Sequence, residues 1–560
     1  DSTDLNILLA AFGSTAGGDL DCDGDTDSTD LNLLLAAFAW QITEDPAYLD
    51  LAKGLLQYAV AISPDYGAPL EPGVDEFYIQ RAHRLNGFAL AYDLLYNDLT
   101  AAERLQLRLI VETLGAQHFV HANTAWWGLI SSGSNIGGNN AAALGTAGLA
   151  LWHDNPTARL WVLRSEQLVR SYFHEGFDEE GPGIEGVLYA NYGMRIPTYL
   201  GHALGRAGFP HLFAAGGIPA HQAGYAYDVL PSGGAVNPVN DARYYETNPT
   251  YTTWQIAHGD NPELSAWLFD NMTLQVPGGG RNLGEAIPTM LWYSPSNPDY
   301  DPSHDLRLGE DFRRRGYVVS RSGWEFDDFM ASFEVRETDW GEGVHQNQDV
   351  TSITLYDGGA KLIVDSRYGN ALSKLTSLDL DAIPTSESEA HNVVVADGRT
   401  QDFFGKGHLT GFASLASVGD PGPADIAAAD ARLAWLVGQP AQADRFLLHS
   451  READVGGVDV VDYLVTADRF VQGGASHDYT SYLHTDWRNS VHPGADPGRF
   501  VIDSGEVPGV HLTIDANTQG GHEAVIDGFT PDDAQDWRRI GLDGPHTRPR
   551  IRLERTVRAL

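Results

Sequence analysis

The spacing of hydrophobic positions changes part-way along the chain. From about residue 45 to 300 apolar residues recur at steps of three and four, as in PAYLDLAKGLLQYAVAI (46–62), RLNGFALAYDLLYNDL (84–99) and TAAERLQLRLIVETLG (100–115). That spacing lines apolar side chains along one face of a helix. Thr100, with Glu103 three residues on, has the form of a capping box at the start of the third run. After about residue 310 the runs become short and rich in Val, Ile, Thr and aromatics: GYVVSRS (316–322), FMASFEV (329–335), SITLYDGG (352–359), KLIVDS (361–366) and HNVVVADG (391–398). Asp-Gly and Gly-Gly pairs punctuate them, the pattern of antiparallel strands and hairpins. The closing RIRLERTVRAL (550–560) still reads as strand. The pattern predicts a multidomain α+β protein, with a helical toroid or bundle over 45–305 followed by an antiparallel β-sandwich over 310–560. A chain of 560 residues also exceeds the roughly 250–300 that one core serves, which fits two large domains and one small one.

The small one is announced by a repeat. DSTDLNILLAAF at 1–12 returns as DSTDLNLLLAAF at 27–38. Between the copies, DLDCDGDTDSTD (19–30) sets Asp19, Asp21 and Asp23 at alternate positions, Gly24 at the sharp turn, Asp25 where a backbone carbonyl is offered, and Asp30 at the twelfth place. Alternate oxygens of this kind converge on calcium. The duplicated loop-and-helix segment resembles a type I dockerin over 1–40. The resemblance implies calcium, a cohesin partner and a secreted or cell-surface setting. Only Asp1 to Asp4 of the first loop are present, so one complete calcium site is expected.

Composition narrows the partners. A formal charge of −40 opposes nucleic acid, whose phosphates require clustered Lys and Arg. A polyanionic substrate would need local arginines, for which Arg195, Arg243 and the Arg313, Arg314, Arg315 run are candidates. No apolar run approaches the ~20 residues of a membrane span, and the single cysteine, Cys22, excludes internal disulfides.

Several separated segments resemble heparinase II/III-like polysaccharide lyases, in the family's order and across most of residues 80–400. They are GFALAYDLLYNDLTAAER, SNIGGNNAAALGTAGLALWHDNP, DEEGPGIEGVLYANYG, GYVVSRSGW, HQNQDVTSITLYDGGAKLIVD and AHNVVVADG. The resemblance implies β-elimination on a uronic-acid polysaccharide. That chemistry requires a neutraliser for the carboxylate, a base for the adjacent proton and an acid for the departing oxygen. By the same resemblance Asn135 is the neutraliser, with Asn139 and Asn140 as neighbours that compete for the role. Tyr189 is the acid and also a possible base, with Tyr192 as its rival, and His345 is the base, on a sandwich facing the toroid. Glu185 orients a neighbour, and Arg195 and Arg243 bind substrate. The family also holds zinc in its sandwich. Asp365 and His391 match two ligand places, whereas the third, usually histidine, is Asn347; Asp349 or His345 could complete the set instead. The dockerin-like segment inclines the substrate towards an alginate- or ulvan-like polymer, with glycosaminoglycans also compatible. Two other readings stand beside the lyase. One is a glycoside hydrolase using carboxylates among Asp178, Glu179, Glu180 and Glu185, and the other an inactive carbohydrate-binding component of a dockerin–cohesin assembly.

Overall fold

A computed structural model describes residues 28–62, 76–129, 133–274, 286–337, 345–365, 387–516, 523–529 and 548–557, apart from 232, 241, 243–247, 346, 403, 436–438, 456–457, 472–476 and 497. The chain divides into two compact units, neither of them continuous in sequence. One, the helical unit, comprises Asp1–Phe177, Ala190–Gln222 and Thr247–Asn297; the other, the β unit, comprises Asp178–Tyr189, Ala223–Glu246 and Pro298–Leu560.

In the helical unit the run at 46–62 is a helix from Pro46 to Ile62, begun by a proline, which suits a first helical position because its missing N–H would have no intrahelical partner. The next helix starts earlier than its periodicity indicates, at Glu76, and runs to Leu95. Ala101–Thr124 is capped as expected: the Thr100 side chain accepts from the Glu103 N–H while Glu103 reaches back to the Thr100 N–H. Helix Asn135–Ala150, almost wholly buried, packs on helix Ala158–Glu175. Its glycines make the approach possible, because a Cβ at Gly138 would overlap the Tyr172 ring and one at Gly145 would overlap Ser165 Oγ. Ser165 Oγ instead donates to the Ala141 carbonyl at 2.5 Å. Short helix Gly186–Gly193, whose residues to Tyr189 count with the β unit, and helix Arg195–Arg206 follow. The core is built from small alanines and large rings, among them Ala141, Ala142, Leu144, Trp127, Trp161 and Phe173.

The β unit is antiparallel throughout its described pairings. Strands β1 (Gly309–Phe312), β2 (Tyr317–Arg321), β3 (Met330–Glu334), β4 (Ser352–Asp357) and β5 (Ala360–Ile363) form a meander in sequence order. The near-continuous apolar texture of β2 and β3 matches burial of every residue in both. A second sheet orders β7 (His408–Ser414), β8 (Ala424–Asp430), β9 (Gln442–Val455) and β10 (Val458–Val471) as β10-β9-β8-β7. There β8 alternates buried with more exposed residues, the mark of a half-covered sheet. A third sheet runs β15-β16-β11-β6, joining β6 (Val394–Ala396) to β11 (His477–His484), β15 (Glu523–Phe529) and the closing strand β16 (Arg548–Val557). A smaller sheet joins β12 (Ser490–Pro493), β13 (Arg499–Asp503) and β14 (His511–Asp515). Phe333, Leu355, Leu362, Leu447 and Ile502 belong to one apolar core. Among the described residues no helix is long and apolar enough to cross a membrane.

Candidate active site and metal centre

In the helical unit the glycine- and asparagine-rich segment becomes the start of helix Asn135–Ala150, with Ser134 as its cap. Asn135 occupies the first turn and is buried. Its two competitors are committed to the scaffold. Asn139 donates to the carbonyls of Asn135 (3.1 Å) and Tyr192 (3.2 Å) and accepts from the Ile196 N–H (3.3 Å). Asn140 donates to the Ile136 carbonyl (2.9 Å) and lies near buried His118, whose imidazole burial pulls down to about 4. Tyr192 meets a residue that the sequence reading passed over: its hydroxyl lies 2.7 Å from His83 Nε2. Burial, reinforced by nearby Arg195, pulls His83 down to about 3, and burial pushes the Tyr192 phenol up to about 12 against the pull of Arg195. Both are therefore neutral at ordinary pH.

In the β unit, Tyr189 and His345 come together. Their rings stack face to face, with centroids 3.4 Å apart and planes 4° from parallel. Parallel rings cannot hydrogen-bond to each other in plane, so the phenol and the imidazole nitrogens lie in adjacent planes. Glu185, buried, precedes Gly186, whose φ of +84° admits few residues other than glycine. A buried arginine supports the loop that carries His345: Arg336, itself at a φ of +56°, donates through Nη1 to the Asn347 carbonyl at 2.6 Å.

The same loop brings Asp349 to Asp365 and His391. All three are buried, and one potential ligand atom from each lies within 4.8 Å of the others. His391 Nδ1 is 2.9 Å from Asp365 Oδ2. Neither Asp349 oxygen has a hydrogen-bond partner among the described residues. Burial pushes Asp349 up to about 6, with His391 and Arg336 opposing the rise and Asp365 adding to it. Glu334 is also held well up by burial, countered by Arg315 and aggravated by Asp349, Asp228 and Asp365. Asp228, Glu334, Asp349 and Asp365 are buried acids opposed by the buried guanidiniums of Arg315, Arg321 and Arg336, and a divalent cation beside Asp349 and Asp365 would stabilise their charged forms. Two carboxylates and an imidazole fit such an ion, and they suit magnesium, manganese or calcium as well as zinc. Buried His484, its imidazole kept neutral by burial and by Arg550, acts electrostatically on His391 and was also missed from sequence. Asn347 enters this region through its carbonyl bond to Arg336; the carboxylate of Asp349 completes the gathered trio.

Other expectations are corrected or fall outside the described residues. Arg315 is a core residue and cannot be a substrate-binding cation: it is fully buried, 3.4 Å from Asp228 and 3.7 Å from Glu334, with its guanidinium over the Tyr317 ring. Arg313 is exposed and paired with Asp311 at 2.8 Å. Asp178, offered for hydrolysis, is a buried turn residue whose oxygens accept the N–H groups of Arg315 (2.8 Å) and Glu180 (3.3 Å). The Glu180 carboxyl hydrogen-bonds Asp178 and is pushed up to about 8 by that bond and by burial. Two carboxyls in direct contact are too close to flank a glycosidic bond, which needs at least about 5 Å between them. Ser320, His449 and Asp462 form a row, with Ser320 Oγ 2.6 Å from His449 Nδ1 and Nε2 3.0 Å from Asp462. Ser320 and His449 are fully buried and Ser320 also bonds Asp425, so the row braces the interior and offers no accessible nucleophile. Arg243, Asp19, Asp21, Asp23 and Asp25 lie outside the described residues, as does the side chain of Asp30, which falls in helix Ser28–Thr43.

Neither a family model nor a curated protein matches the chain. Solved structures do. The heparan sulfate lyase HepC from Pedobacter heparinus superposes with a TM-score of 0.60 at 12% identity, covering 94% of this chain and 72% of that one. A heparinase III gives 0.61 at 12%, covering 94% and 74%, and a second, with methylated lysines, gives 0.61 at 13% with the same coverage. The chain shares the heparinase III fold. A helical N-terminal region followed by antiparallel sheets is therefore common to proteins only 12–13% identical in sequence. On the heparinase III fold the segments singled out from sequence acquire positions: the asparagine helix in one unit, the stacked tyrosine and histidine in the other.

Proposed function

We propose that the protein is a polysaccharide lyase that cleaves a uronic-acid polymer by β-elimination. The observation that carries the reading is the stacked Tyr189–His345 pair, on a fold shared with a heparan sulfate lyase. Asn135 hydrogen-bonds the uronate carboxylate and so favours loss of the neighbouring proton. His345 takes that proton from C5, the electron pair forms the C4–C5 double bond, the C4–O bond breaks, and Tyr189 protonates the departing oxygen. Arg195 offers a cation to the carboxylate. On this reading a heparan-sulfate-type glycosaminoglycan is the first substrate to try, supported by the names of the solved structures of like fold, ahead of alginate- and ulvan-like polymers. Asp349, Asp365 and His391 would hold a divalent cation with a bracing role near the His345 loop. Residues 19–30 would bind calcium and residues 1–40 a cohesin, which would place the enzyme outside the cell.

The test is ultraviolet absorbance of products from a panel of uronic-acid polymers, with reducing ends counted in parallel. Absorbance from a new carbon–carbon double bond, rising with chain breaks, is expected. Chain breaks without absorbance would establish a hydrolase, and binding without either signal an inactive binding component.

A further inference from the structure

Tyr189 and Tyr192 look like alternatives in sequence, yet each has its own imidazole. Tyr189 stacks on His345, whereas Tyr192 meets His83 edge-on through a 2.7 Å contact, with ring planes 55° apart. Tyr192 is held at two points: Asn139 donates to its backbone carbonyl and His83 touches its hydroxyl. Arg195 lies near enough to act electrostatically on both the imidazole and the phenol. It opens the helix that follows Tyr192 directly in the chain.

We propose that Tyr192 donates a hydrogen bond to the substrate carboxylate beside Arg195, and that His83 is the positioning residue that fixes its hydroxyl. This rests on the lyase reading. His83 Nε2 lies 2.7 Å from Tyr192 Oη and so fixes where the phenol oxygen sits. Two properties of the pair suit that task. An imidazole that stays neutral anchors the phenol without acting as a rival ion, and a phenol that stays protonated remains a donor throughout the working pH range. His83 itself touches no substrate, so its effect passes entirely through Tyr192.

The test uses two replacements that separate the imidazole nitrogens. His83→Gln keeps a donor near the Nε2 position, whereas His83→Asn keeps one near Nδ1 and is too short to reach Tyr192. Each is made alone and with Tyr192→Phe in the full chain. KM and kcat are read on the polymer that gives ultraviolet product, and the dissociation constant for heparan sulfate is read calorimetrically in a Tyr189→Phe background. His83→Asn should weaken KM and binding about five- to tenfold, the equivalent of roughly one hydrogen bond, and His83→Gln should stay within about twofold of wild type. In the Tyr192→Phe background His83→Asn should add nothing, because the interaction it removes is already gone. Equal effects of Asn and Gln, or losses that add to those of Tyr192→Phe, would overturn the positioning role while leaving the lyase intact. Coupled losses in binding without any elimination would uphold the pair and remove the lyase reading, and a wild-type protein that neither binds nor cleaves any polymer would overturn both.

Discussion

The two units bury polarity of different kinds. In the helical unit the buried polar side chains are neutral amides, hydroxyls and imidazoles, including Asn86, His118, Asn135, Asn139 and Gln222, with Arg84 the charged exception among the described residues. In the β unit buried amides and hydroxyls such as Asn237, Ser332 and Asn392 are joined by ionisable groups: Asp228, Arg315, Arg321, Glu334, Arg336, Asp349, Asp365, Arg445, Arg451 and Arg550 are all buried there. The difference separates two tasks. Neutral donors can read an anionic sugar without first releasing a counter-ion, whereas paired ions fix loops and can retain a cation, at the expense of stability if one partner is lost. In a chain with 76 acidic and 36 basic residues, the buried arginines among the described residues fall in the β unit, Arg84 excepted.

That contrast can be broken at several points. The largest effect is expected from the stacked pair: Tyr189→Phe and His345→Ala should each lower elimination by roughly 10²–10⁴-fold with polymer binding retained. Near-wild-type turnover in either variant would remove that residue from the chemistry. Arg315→Ala should destabilise the protein by about 3–5 kcal/mol, since Asp228 and Glu334 would be left buried without their guanidinium, and a thermal melt unchanged from wild type would show the network to be dispensable. Chelation should then lower the melting temperature of wild-type protein by an amount corresponding to roughly 3–4 kcal/mol, provided the cation was present at several hundredfold its dissociation constant or more. Asp349→Ala should start lower and respond less to chelator, and elemental analysis should find one fewer divalent ion in it. Equal metal content and equal response in the two proteins would dismiss Asp349 as a ligand.

The smallest effect concerns Asp357 in the β4–β5 turn, pushed up to about 6 by burial and then by Asp462, Asp328 and Asp327. Its folded value lies above the unfolded one of about 3.9, so as pH rises between the two the unfolded state ionises first and stability falls. Asp357→Asn should therefore raise the melting temperature by about 1–3 °C at pH 7, with no difference near pH 4. A gain that persists unchanged at pH 4 would point to packing instead of charge.

Much of this was legible in the sequence where the determinant is local. The Pro46–Ile62 helix, the Thr100–Glu103 cap and strands β2 to β6 follow from periodicity and neighbouring residues alone. What escaped depends on distant register. Asp365 and His391 were legible, but that Asp349, and not Asn347 or His345, joins them depends on how β4, β5 and their flanking loops bring the segments together. His83 sits in an ordinary helical run, FYIQRAHRLNGF, and acquires meaning only from a tyrosine 109 positions away. Arg315 looked like a surface cation because its neighbours Arg313 and Arg314 are arginines too, yet its partners Asp228 and Glu334 lie far off along the chain.

The interleaving of the units bears on how the chain must be made. Asn237 is synthesised well before the strands it joins, yet its amide bonds Tyr317 and Ser332 at 2.9 Å each and accepts from Tyr356 at 2.9 Å. At roughly 5–20 residues per second on the ribosome, that amide waits on the order of ten seconds for its last partner to appear. During this interval the Asn237 amide has none of these three partners. Folding therefore cannot proceed unit by unit from the N-terminus, and a fragment cut near residue 298 would yield sheets that lack part of their own interior.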